Sequence, residues 1–457
     1  MCLRDINSVH SVVHPLQRMK QHLLILGAGE SGASAARLGQ REGYSVFVSD
    51  AGKGSAQYLE ELNEAGIPYE TGGHTEPELL KADLVVKSPG IPDTAPPILK
   101  LHRAGIPVIS EIEFAGRYVH EEATIVGITG SNGKTTTTML THHLLRMAGE
   151  RVLAGGNLGD SFARLLIEHE PADIYVLELS SFQLDGIVQF RPDIAAVLNI
   201  TPDHLDRYDY QLEKYADSKL RIALNQHPGD TAFLLFDPEV ISPALGRHPT
   251  KAAVVWVKPD EDIDEQTVTV DREAYSLAEG QLRGRHNAMN ALFAIQIARK
   301  LGVSGEEIQL ALNSFRPAAH RMEVIATADG RHWINDSKAT NVDSAYFALE
   351  SMTGPTVWIA GGTDKGNDYA PLREVVKANV HTLICMGVDN EKLQQAFAFL
   401  PTTVECGSAE EAVQLADQHA RAGDTVLLSP ACASFDLFKN YVDRGDQFRR
   451  YVQQLAG

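Results

Sequence analysis

The chain has 457 residues, a formal net charge of −19 and a pI near 5.3. Its length allows about two to four domains, and its hydrophobic content of 44% is enough to build their cores. The acidic balance argues against nucleic acid or an anionic membrane as a partner, because both require a basic surface.

The cysteines and the N-terminus indicate where the protein works. Cys2, Cys385, Cys406 and Cys432 lie far apart without C-x-x-C spacing, which favours reduced, packed thiols in a cytoplasmic enzyme. No apolar run approaches the ~18–20 residues of a membrane span, and the N-terminus lacks the apolar segment of a signal peptide. We therefore expect a cytoplasmic protein without membrane insertion, and we interpret residues 1–19 as an N-terminal extension.

The first predicted domain, residues 20–112, begins with a nucleotide-binding pattern. A strand at His22–Leu26 leads into the glycine-rich turn from Gly27 to Gly32, then a small-residue helix and a second strand that ends at Asp50. This G-x-G-x-x-G turn with a following acid is typical of a dinucleotide-binding Rossmann unit, although the glycines could serve close helix–sheet packing alone. Taken by itself, the pattern leaves open an NAD(P)-dependent oxidoreductase with an appended ATPase domain.

The stretch from Ala123 to Leu140, ATIVGITGSNGKTTTTML, is typical of a strand, a glycine-rich turn and the start of a helix. Its glycines let backbone N–H groups converge on an anion, Lys134 adds a charge, and the Thr135 hydroxyl is suited to Mg²⁺. The strict phosphate-loop spacing is not met, because Ile128 stands where the first glycine should be. An ordinary turn remains the alternative, but the pattern favours a nucleoside triphosphate.

The predicted central domain, residues 113–317, alternates apolar strands with helical stretches, which indicates a mostly parallel sheet covered by helices. Glu178 ends one such strand, where a buried carboxylate is costly unless it is paired with a neighbouring helix or binds a cation such as Mg²⁺. Asp203 and His204 follow the next strand and are placed for metal or substrate. The predicted strands after the phosphate loop cover residues 174–179, 194–200, 231–236 and 253–257.

A third α/β unit is predicted over residues 318–457. Three of its strands are followed by polar turns, at 335–341, 361–366 and 429–436. Because ligands bind at the carboxyl ends of parallel strands, the Lys, Thr and Ser donors of these turns suggest a pocket for a small carboxylate. Any one of these turns alone would be an ordinary solvated loop. The predicted strands are 333–334, 357–360, 383–386 and 426–429.

Taken together, these stretches resemble the Mur ligase family, the ATP-dependent amino-acid-adding enzymes of peptidoglycan synthesis. The motifs that carry the resemblance are GITGSNGKTTTT, GGNLG, LELSSFQL, NITPDHLDRY, SKLRIALNQ, GRHNAMNALFA, HRMEV, WINDSKATN, GGTDKG and SPACASFDLFKNYVDRGDQF. The turn WINDSKATN is the most discriminating, because it resembles the branch of the family that adds D-glutamate. The departure from the strict phosphate-loop spacing is also a property of this family.

The resemblance implies an α/β protein of three domains: a Rossmann-like UDP-binding domain, a central P-loop ATPase with a mostly parallel sheet, and a C-terminal Rossmann-like domain. It implies an amide ligase that adds D-glutamate to UDP-N-acetylmuramoyl-L-alanine through an acyl phosphate, giving ADP and phosphate. The expected enzyme is a monomer that serves cell-wall synthesis and cell division. An L-glutamate-adding variant, another Mur-type ligase and folylpolyglutamate synthetase remain alternatives, but the last has no use for the N-terminal domain.

The resemblance also implies roles for individual residues. The implied catalytic residues are Lys134, Glu178, His204 and Lys219. The implied ATP-binding residues are Gly130, Ser131, Asn132, Gly133, Lys134, Thr135, Thr136, Asn287, Asn290, Arg321 and Asp336. The implied contacts to the UDP-linked substrate are Glu30, Ser31, Ser88, Asn157 and His204. The implied D-glutamate pocket comprises Thr340, Lys365, Ser434, Phe435 and Tyr441, with Lys338 beside it.

Two Mg²⁺ sites are implied, one at Thr135 and Glu178 and the other at His204 and Lys219. Lys219 stands at the position where the family carries a carbamylated lysine, in which captured CO₂ turns the cation into a metal-binding carboxylate. From the sequence alone, an ordinary exposed lysine on a helix is the simpler interpretation of Lys219. The family pattern is also broken at Ala51 and Gly52, which offer no polar side chains to the nucleotide.

Overall fold

The computed structural model describes residues 20–282, 284–317, 319–352, 354–364 and 366–456. The predicted N-terminal extension, residues 1–19, and Lys365 lie outside the described residues. The described chain divides into two compact units, the first ending at Glu111 and the second beginning at Ile112. None of the helices in these described ranges is long and apolar enough to cross a lipid bilayer.

The first unit is a parallel sheet with strand order β3-β2-β1-β4-β5. Its strands are β1 His22–Leu26, β2 Ser45–Asp50, β3 Tyr69–Thr71, β4 Leu84–Lys87 and β5 Val108–Ser110. Its helices are α1 Glu30–Arg41, α2 Ala56–Glu64, α3 Glu76–Leu80 and α4 Pro96–Arg103. Strand β1 is almost uniformly apolar because helices cover a parallel sheet on its faces.

The strand order brings the turns after β1 and β4 side by side. At Gly27, where φ is +97°, an added Cβ would lie 2.4 Å from Ser88 Oγ, so the close approach of these turns requires glycine. At Gly32 the same atom would lie 2.0 Å from the Gly27 carbonyl oxygen. The glycines therefore set the shape of this edge, which is where an open α/β sheet binds its ligand.

The second unit contains a parallel sheet of order β11-β10-β9-β6-β8-β7. Its strands are β6 Thr124–Thr129, β7 Val152–Gly156, β8 Ile174–Glu178, β9 Ile194–Val197, β10 Thr231–Leu235 and β11 Ala253–Val257. The helices of this part are α5 Glu111–Gly116, α6 Lys134–Met147, α7 Phe162–Glu168, α8 Ser181–Asp185, α9 Leu212–Leu220, α10 Ile241–Arg247, α11 Pro259–Asp262, α12 Arg285–Lys300 and α13 Gly305–Ser314. The predicted strands after the phosphate loop are thus present as β8 to β11. Because β6 lies between β8 and β9, the phosphate loop, Glu178 and Asn199 meet at one edge.

An antiparallel sheet of β12 Ile263–Asp264, β13 Thr267–Val270 and β14 Glu273–Ser276 was not expected from the sequence. Its turn holds Asp271 and Arg272 at φ of 52° and 68°. Such turns are usually marked by glycine or asparagine, which are absent at these two positions. One face of this sheet packs against α12, since the buried core cluster that contains apolar side chains of α12 also contains Val268, Val270 and Tyr275.

The C-terminal sheet has the order β15-β16-β20-β17-β18-β19, in which β15 pairs antiparallel with β16 and the other pairs are parallel. Its strands are β15 Glu323–Ala328, β16 Arg331–Asn335, β17 Thr356–Ala360, β18 Val380–Met386, β19 Thr402–Cys406 and β20 Thr425–Leu428. Its helices are α14 Val342–Glu350, α15 Arg373–Asn379, α16 Glu391–Ala396, α17 Ala409–His419 and α18 Tyr441–Ala456. Short 3₁₀ helices lie at Leu205–Tyr208, Arg221–Ala223 and Ala370–Leu372.

Since β16, β20 and β17 are neighbours, the polar turns that follow them meet at the same edge of the C-terminal sheet. Separate clusters of buried apolar side chains, around Trp358 and around Trp333, form the core of this part. The predicted fold class, α/β with mostly parallel sheets, is confirmed. The domain boundaries at residues 112 and 317 stay predictions.

Candidate active site

The phosphate loop between β6 and α6 is held in place by Asn199, the residue two positions after β9. Ser131 N donates to the Asn199 carbonyl oxygen at 3.0 Å, and Asn132 N donates to Asn199 Oδ1 at 2.9 Å. Asn199 Nδ2 in turn donates to the Asn132 carbonyl oxygen at 3.0 Å. Asn199 stood in a motif that the sequence singled out, but its role in fixing this loop was missed.

Lys134 folds back onto the phosphate loop. Its Nζ donates to the carbonyl oxygens of Gly130 and Ser131, each at 2.8 Å. Burial lowers the pKa of Lys134, against the opposing attraction of the Glu178 carboxylate. The Lys134 ammonium group is therefore held on the loop by neutral carbonyl oxygens. The charged oxygens of a phosphate are stronger acceptors and would replace them.

Glu178, at the end of β8, is a buried carboxylate with specific partners. Its Oε2 accepts from Thr135 Oγ1 at 2.7 Å, and its Oε1 accepts from Asn157 Nδ2 at 2.9 Å. Burial acts to raise the pKa of Glu178, but the charge of Lys134 and these hydrogen bonds outweigh it, so the pKa is lowered. Arg321 also donates to Thr135 Oγ1, at 2.5 Å.

The pairing of Thr135 with an ionised Glu178 fits a magnesium ion, which prefers oxygen ligands and takes the others from phosphate and water. Within the described ranges, no group of three or more His, Cys, Asp or Glu side chains is arranged to hold a metal ion by itself. An ion at this edge would therefore depend on the nucleotide for part of its coordination.

Lys219 on α9 lies beneath the same loop. It is only 1% exposed, and its Nζ donates to the Gly130 carbonyl oxygen at 2.8 Å. Nζ also lies 4.5 Å from the centre of the Tyr215 ring. Burial, followed by repulsion from Lys134, puts the pKa of Lys219 well below its ordinary value. The interpretation of Lys219 as an exposed helix lysine is therefore wrong.

His204 stands at the mouth of the site, with a side chain that is 47% exposed. Its backbone has φ of 52°, the ring meets Phe182 edge-on at 5.3 Å, and Nε2 lies 3.6 Å from the Asp203 carboxylate. The strained backbone of a non-glycine residue here points to a site where orientation matters.

The first two turns of α12 supply amide groups. Asn290 Oδ1 accepts from Thr137 Oγ1, and Asn290 Nδ2 donates to Asn287 Oδ1, each at 3.3 Å. An added Cβ at Gly133, where φ is +83°, would lie 2.2 Å from Asn290 Oδ1, so the loop approaches α12 at a glycine. His286, which sequence analysis missed, is kept neutral because burial lowers its pKa to about 4.

The turn after β16 contributes Asp336 and Lys338. Asp336 accepts from Ser429 Oγ at 3.0 Å and from Met322 N at 3.2 Å. Burial raises the pKa of Asp336 to about 7 despite these hydrogen bonds. Burial also lowers the pKa of Lys338 to about 8, and its Nζ lies 3.8 Å from the centre of the Tyr441 ring.

Most of the residues predicted for the site line one cavity of about 260 Å³ between the phosphate loop, α12 and the turn after β16. The predicted residues in its lining are Ser131, Asn132, Gly133, Lys134, Thr136, Asn157, Glu178, His204, Asn287, Asn290, Arg321, Asp336 and Thr340. Gly130, Thr135 and Lys219 join it through the hydrogen bonds above.

The rest of the predicted D-glutamate set is less closely assembled. Ser434, Phe435 and Tyr441 are not among the cavity's lining residues in the described chain. Ser434 is buried, whereas Phe435 is 71% exposed. Tyr441 reaches the site through its contact with Lys338, and Lys365 lies outside the described residues.

Arg444 on α18 joins the turns of the C-terminal site and was missed by sequence analysis. Its Nε donates to Ser337 Oγ at 3.0 Å and its Nη2 to the Ser337 carbonyl oxygen at 2.9 Å. The guanidinium also reaches the carbonyl oxygens of Cys432 at 3.3 Å and Gly361 at 3.5 Å. In the sequence, Arg444 is only one residue of the motif SPACASFDLFKNYVDRGDQF, and nothing there marks it as buried.

In the first unit, Glu30 begins α1 and accepts from Ser34 Oγ at 3.2 Å, and Ser31 follows it. Ser88 Oγ is buried and lacks a hydrogen-bond partner among the described residues. The Asp50 carboxylate accepts from the backbone N–H groups of Ala28 and Gly52, each at 2.6 Å. Asp50 is thus engaged in shaping the turn, which weakens the dinucleotide interpretation because that needs an acid facing a ribose.

Known families match this chain along most of its length. The Mur ligase MurD-like N-terminal domain matches residues 21–110, the Mur ligase middle domain matches 128–298, and the Mur ligase glutamate ligase domain matches 320–432. The UDP-N-acetylmuramoylalanine–D-glutamate ligase of Cytophaga hutchinsonii is 48% identical, covering 96% of this chain and 100% of the relative. Proteins of the same name from Porphyromonas gingivalis and Bacteroides fragilis are 47% and 46% identical, covering 96% and 95% of this chain and 100% of each relative.

Solved structures share the fold at lower identity. The MurC ligase of Thermotoga maritima superimposes with a TM-score of 0.60 at 18% identity, covering 95% of this chain and 99% of its own. The MurF ligase of the same organism, in complex with ADP, gives 0.61 at 15% identity, covering 90% and 96%. At these identities the likeness shows the fold alone.

Proposed function

The chain belongs to the Mur ligase family, and we propose that it is the ATP-dependent acid–D-amino-acid ligase that joins D-glutamate to UDP-N-acetylmuramoyl-L-alanine in peptidoglycan synthesis. The observation that carries this proposal is the identity of 46–48% to ligases of that name over their whole length. The shared name favours D-glutamate over the L-glutamate alternative and over the other Mur-type ligases. The cavity supports the proposal, since it joins a phosphate loop to the polar turn after β16 of the C-terminal sheet.

The first chemical step is a phosphoryl transfer. An oxygen of the substrate's alanyl carboxylate attacks the γ-phosphorus of ATP, and the bond between that phosphorus and the β,γ-bridging oxygen breaks. The products of this step are ADP and an acyl phosphate. Such a step depends on in-line positioning and on neutralising charge. The backbone of the phosphate loop and Lys134 would hold the phosphates, while Thr135 and Glu178 would hold Mg²⁺. When bound, the ion supplies positive charge to the phosphate oxygens.

In the second step, the amine of D-glutamate, having lost a proton, attacks the acyl carbon. The tetrahedral intermediate collapses, inorganic phosphate leaves and an amide bond remains. Thr340, Lys365, Ser434, Phe435 and Tyr441 are proposed to hold D-glutamate. Thr340 lines the cavity and Tyr441 lies beside Lys338, which supports this side of the cavity as the amino-acid end.

A second Mg²⁺ site at His204 and a carbamylated Lys219 is part of the proposal. Carbamylation needs a neutral amine, which bonds to the carbon of CO₂ and releases a proton. Burial beside Lys134 favours the neutral form of Lys219, and its hydrogen bond to the Gly130 carbonyl oxygen places it under the phosphate loop. The exposed ring of His204 lines the cavity that contains the phosphate loop residues Ser131 to Lys134.

The UDP end of the substrate is assigned to Glu30, Ser31 and Ser88 in the first unit, and its sugar end to Asn157 and His204. The buried hydroxyl of Ser88, without a partner among the described residues, is suited to a phosphate or ribose oxygen. Asn157 lies in the cavity lining and hydrogen-bonds to Glu178. The monomeric state and the cytoplasmic location stay predictions.

The test is release of inorganic phosphate by the purified protein with Mg²⁺ and ATP. We expect release only when both UDP-N-acetylmuramoyl-L-alanine and D-glutamate are present, and much less with L-glutamate. Glu178→Gln should be inactive because it removes the charge that faces Mg²⁺. NAD(P)H turnover without ATP, or equal rates with both glutamate enantiomers, would contradict the proposal.

A further inference from the structure

The side chain of Asn132, in the middle of the phosphate loop, is held by a residue of the C-terminal domain. Asn199 fixes the backbone of Asn132 from both sides, so the freedom that remains is rotation of the side chain. Asn132 Oδ1 accepts from Ser344 Oγ at 2.9 Å, a hydroxyl that lies 212 residues further along the chain. Both side chains line the cavity.

This contact leaves a donor unused. Asn132 Nδ2 is buried and lacks a hydrogen-bond partner among the described residues. A buried N–H group without a partner is destabilising, so such a group in an anion-binding loop is poised for an oxygen of the ligand. If the amide were turned over, its oxygen would instead face the anion and repel it. In this structure the Ser344 hydroxyl donates to Oδ1, which leaves Nδ2 as the group available to the anion.

Ser344 itself is fixed by the turn at the amino-acid end of the cavity. Asn341 caps α14, and its Oδ1 accepts from Ser344 N at 2.8 Å. Asn341 directly follows Thr340, which lines the cavity. The position of the hydroxyl on Asn132 is therefore set by the turn that also contributes to the proposed D-glutamate pocket.

We propose that Ser344 is a positioning residue for phosphoryl transfer: its hydroxyl sets the amide of Asn132 so that Nδ2 donates to the transferred phosphoryl group of ATP. This inference rests on the proposed function. Charge is spread over the equatorial oxygens of the phosphoryl group in the transition state, where a fixed donor is most valuable. The contact also makes the phosphate loop depend on correct placement of the C-terminal turn.

The test is Ser344→Ala in the full-length enzyme, with kcat and KM for ATP measured by phosphate release. We expect kcat to fall about tenfold while KM for ATP changes less than about twofold, because the lost interaction belongs to the transition state. Ser344→Thr keeps a hydroxyl and should retain at least about half of kcat. Ser351→Ala is the matched control, since its hydroxyl on the end of the same helix donates to the Ala348 carbonyl oxygen at 2.7 Å.

A double-mutant cycle with Asn132→Ala separates positioning from a general structural effect. If Ser344 acts through Asn132, the double variant should have the kcat of Asn132→Ala alone. Additive losses, a Ser344→Ala enzyme as active as Ser351→Ala, or a Ser344→Thr enzyme as impaired as Ser344→Ala would each overturn the inference. An inactive wild type would instead refute the proposed function. Melting temperatures of all variants check that they are folded.

Discussion

At the residue scale, the carbonyl oxygen of Gly130 accepts hydrogen bonds from both Lys134 and Lys219, each at 2.8 Å. Ammonium groups that share an acceptor repel each other, and little water is present to screen them. Burial and this repulsion favour proton loss from Lys219, which has no carboxylate in hydrogen-bond contact in the described structure. A neutral amine is the form that reacts with CO₂. The repulsion between the two ammonium groups therefore favours formation of the proposed carbamate at Lys219.

Lys219→Ala is therefore expected to lower ligation by about 100-fold or more, because the carbamate proposed as a metal ligand cannot form. Added short carboxylates such as acetate should restore part of the activity by entering the vacated space. Lys214→Ala is the control, because Lys214 is exposed on the same helix and pairs with Asp209. Labelled CO₂ should give a carbamate signal in carbon NMR that Lys219→Ala lacks. Full activity of Lys219→Ala would remove this residue from the site.

Asp336 makes stability depend on pH. Burial raises its pKa to about 7 in the folded protein, against about 3.9 in an unfolded chain. The folded state therefore holds a proton that the unfolded state has lost, and this contribution to stability is fully present below the unfolded pKa and is lost as pH rises through about 7. Asp336→Asn has no carboxyl group at this position to titrate, so its stability does not lose this contribution as pH rises. Its side-chain amide can keep the contacts to Ser429 and Met322.

Between about pH 5 and pH 8, the stability of Asp336→Asn relative to wild type should therefore improve by about 3 kcal/mol. Thermal melting of both proteins at the two pH values measures this change. Ligation should fall in the same variant, because Asp336 is proposed to contact ATP. The exposed Asp264→Asn serves as the control for removing a surface carboxylate. A stability difference that does not change with pH would show that Asp336 is not protonated in the fold.

At the element scale, α18 holds the turns of the C-terminal sheet through Arg444. This side chain is 1% exposed, and its donors meet oxygens of Ser337, Gly361 and Cys432, which belong to the turns after β16, β17 and β20. A planar guanidinium can serve acceptors in several directions at once, whereas an ammonium group cannot. The helix thus acts as a clamp on loops that come from distant parts of the chain.

Arg444→Lys should accordingly reduce the stability of the C-terminal part by about 2–4 kcal/mol, since buried carbonyl oxygens lose their donors. KM for D-glutamate should rise more than KM for ATP, because the turn after β16, which Arg444 holds through Ser337, lines the end of the cavity proposed for the amino acid. Arg450→Lys, an exposed change on the same helix, is the control. Equal stability of the two variants in urea titrations would contradict the clamp.

The same elements show how far the sequence predicts this structure. Strands β8 to β11 and the phosphate loop follow from local apolar runs and turn residues, and most of the predicted site residues line one cavity. The hairpin of β13 and β14 was missed because Asp271 and Arg272 take positive φ without glycine. The burial of Lys219 was also missed, because its partner at Gly130 lies 89 residues away and the helix sequence LEKYADSKL is mostly polar.

At the scale of the whole molecule, each compact unit contains its own sheet or sheets and its own buried apolar side chains. The first unit is built around Leu24, Val85 and Leu101, and the second contains the sheets of the phosphate loop and of the C-terminal turns. The proposed ligands divide in the same way, with UDP assigned to the first unit and ATP to the second. Separate cores allow separate unfolding transitions, each sensitive to its own ligand.

Calorimetry of the intact protein should therefore resolve more than one unfolding transition. UDP at ~100 times its Kd should raise the transition of the first unit by about 10–20 °C, since binding adds about 2.7 kcal/mol to a small domain, and should leave the others in place. Mg²⁺ with a non-hydrolysable ATP analogue should raise a different transition. Ser88→Ala should reduce only the UDP effect and Glu178→Gln only the nucleotide effect, so each variant is the control for the other. One transition that moves with both ligands would contradict this division, because it would mean that the cores unfold together.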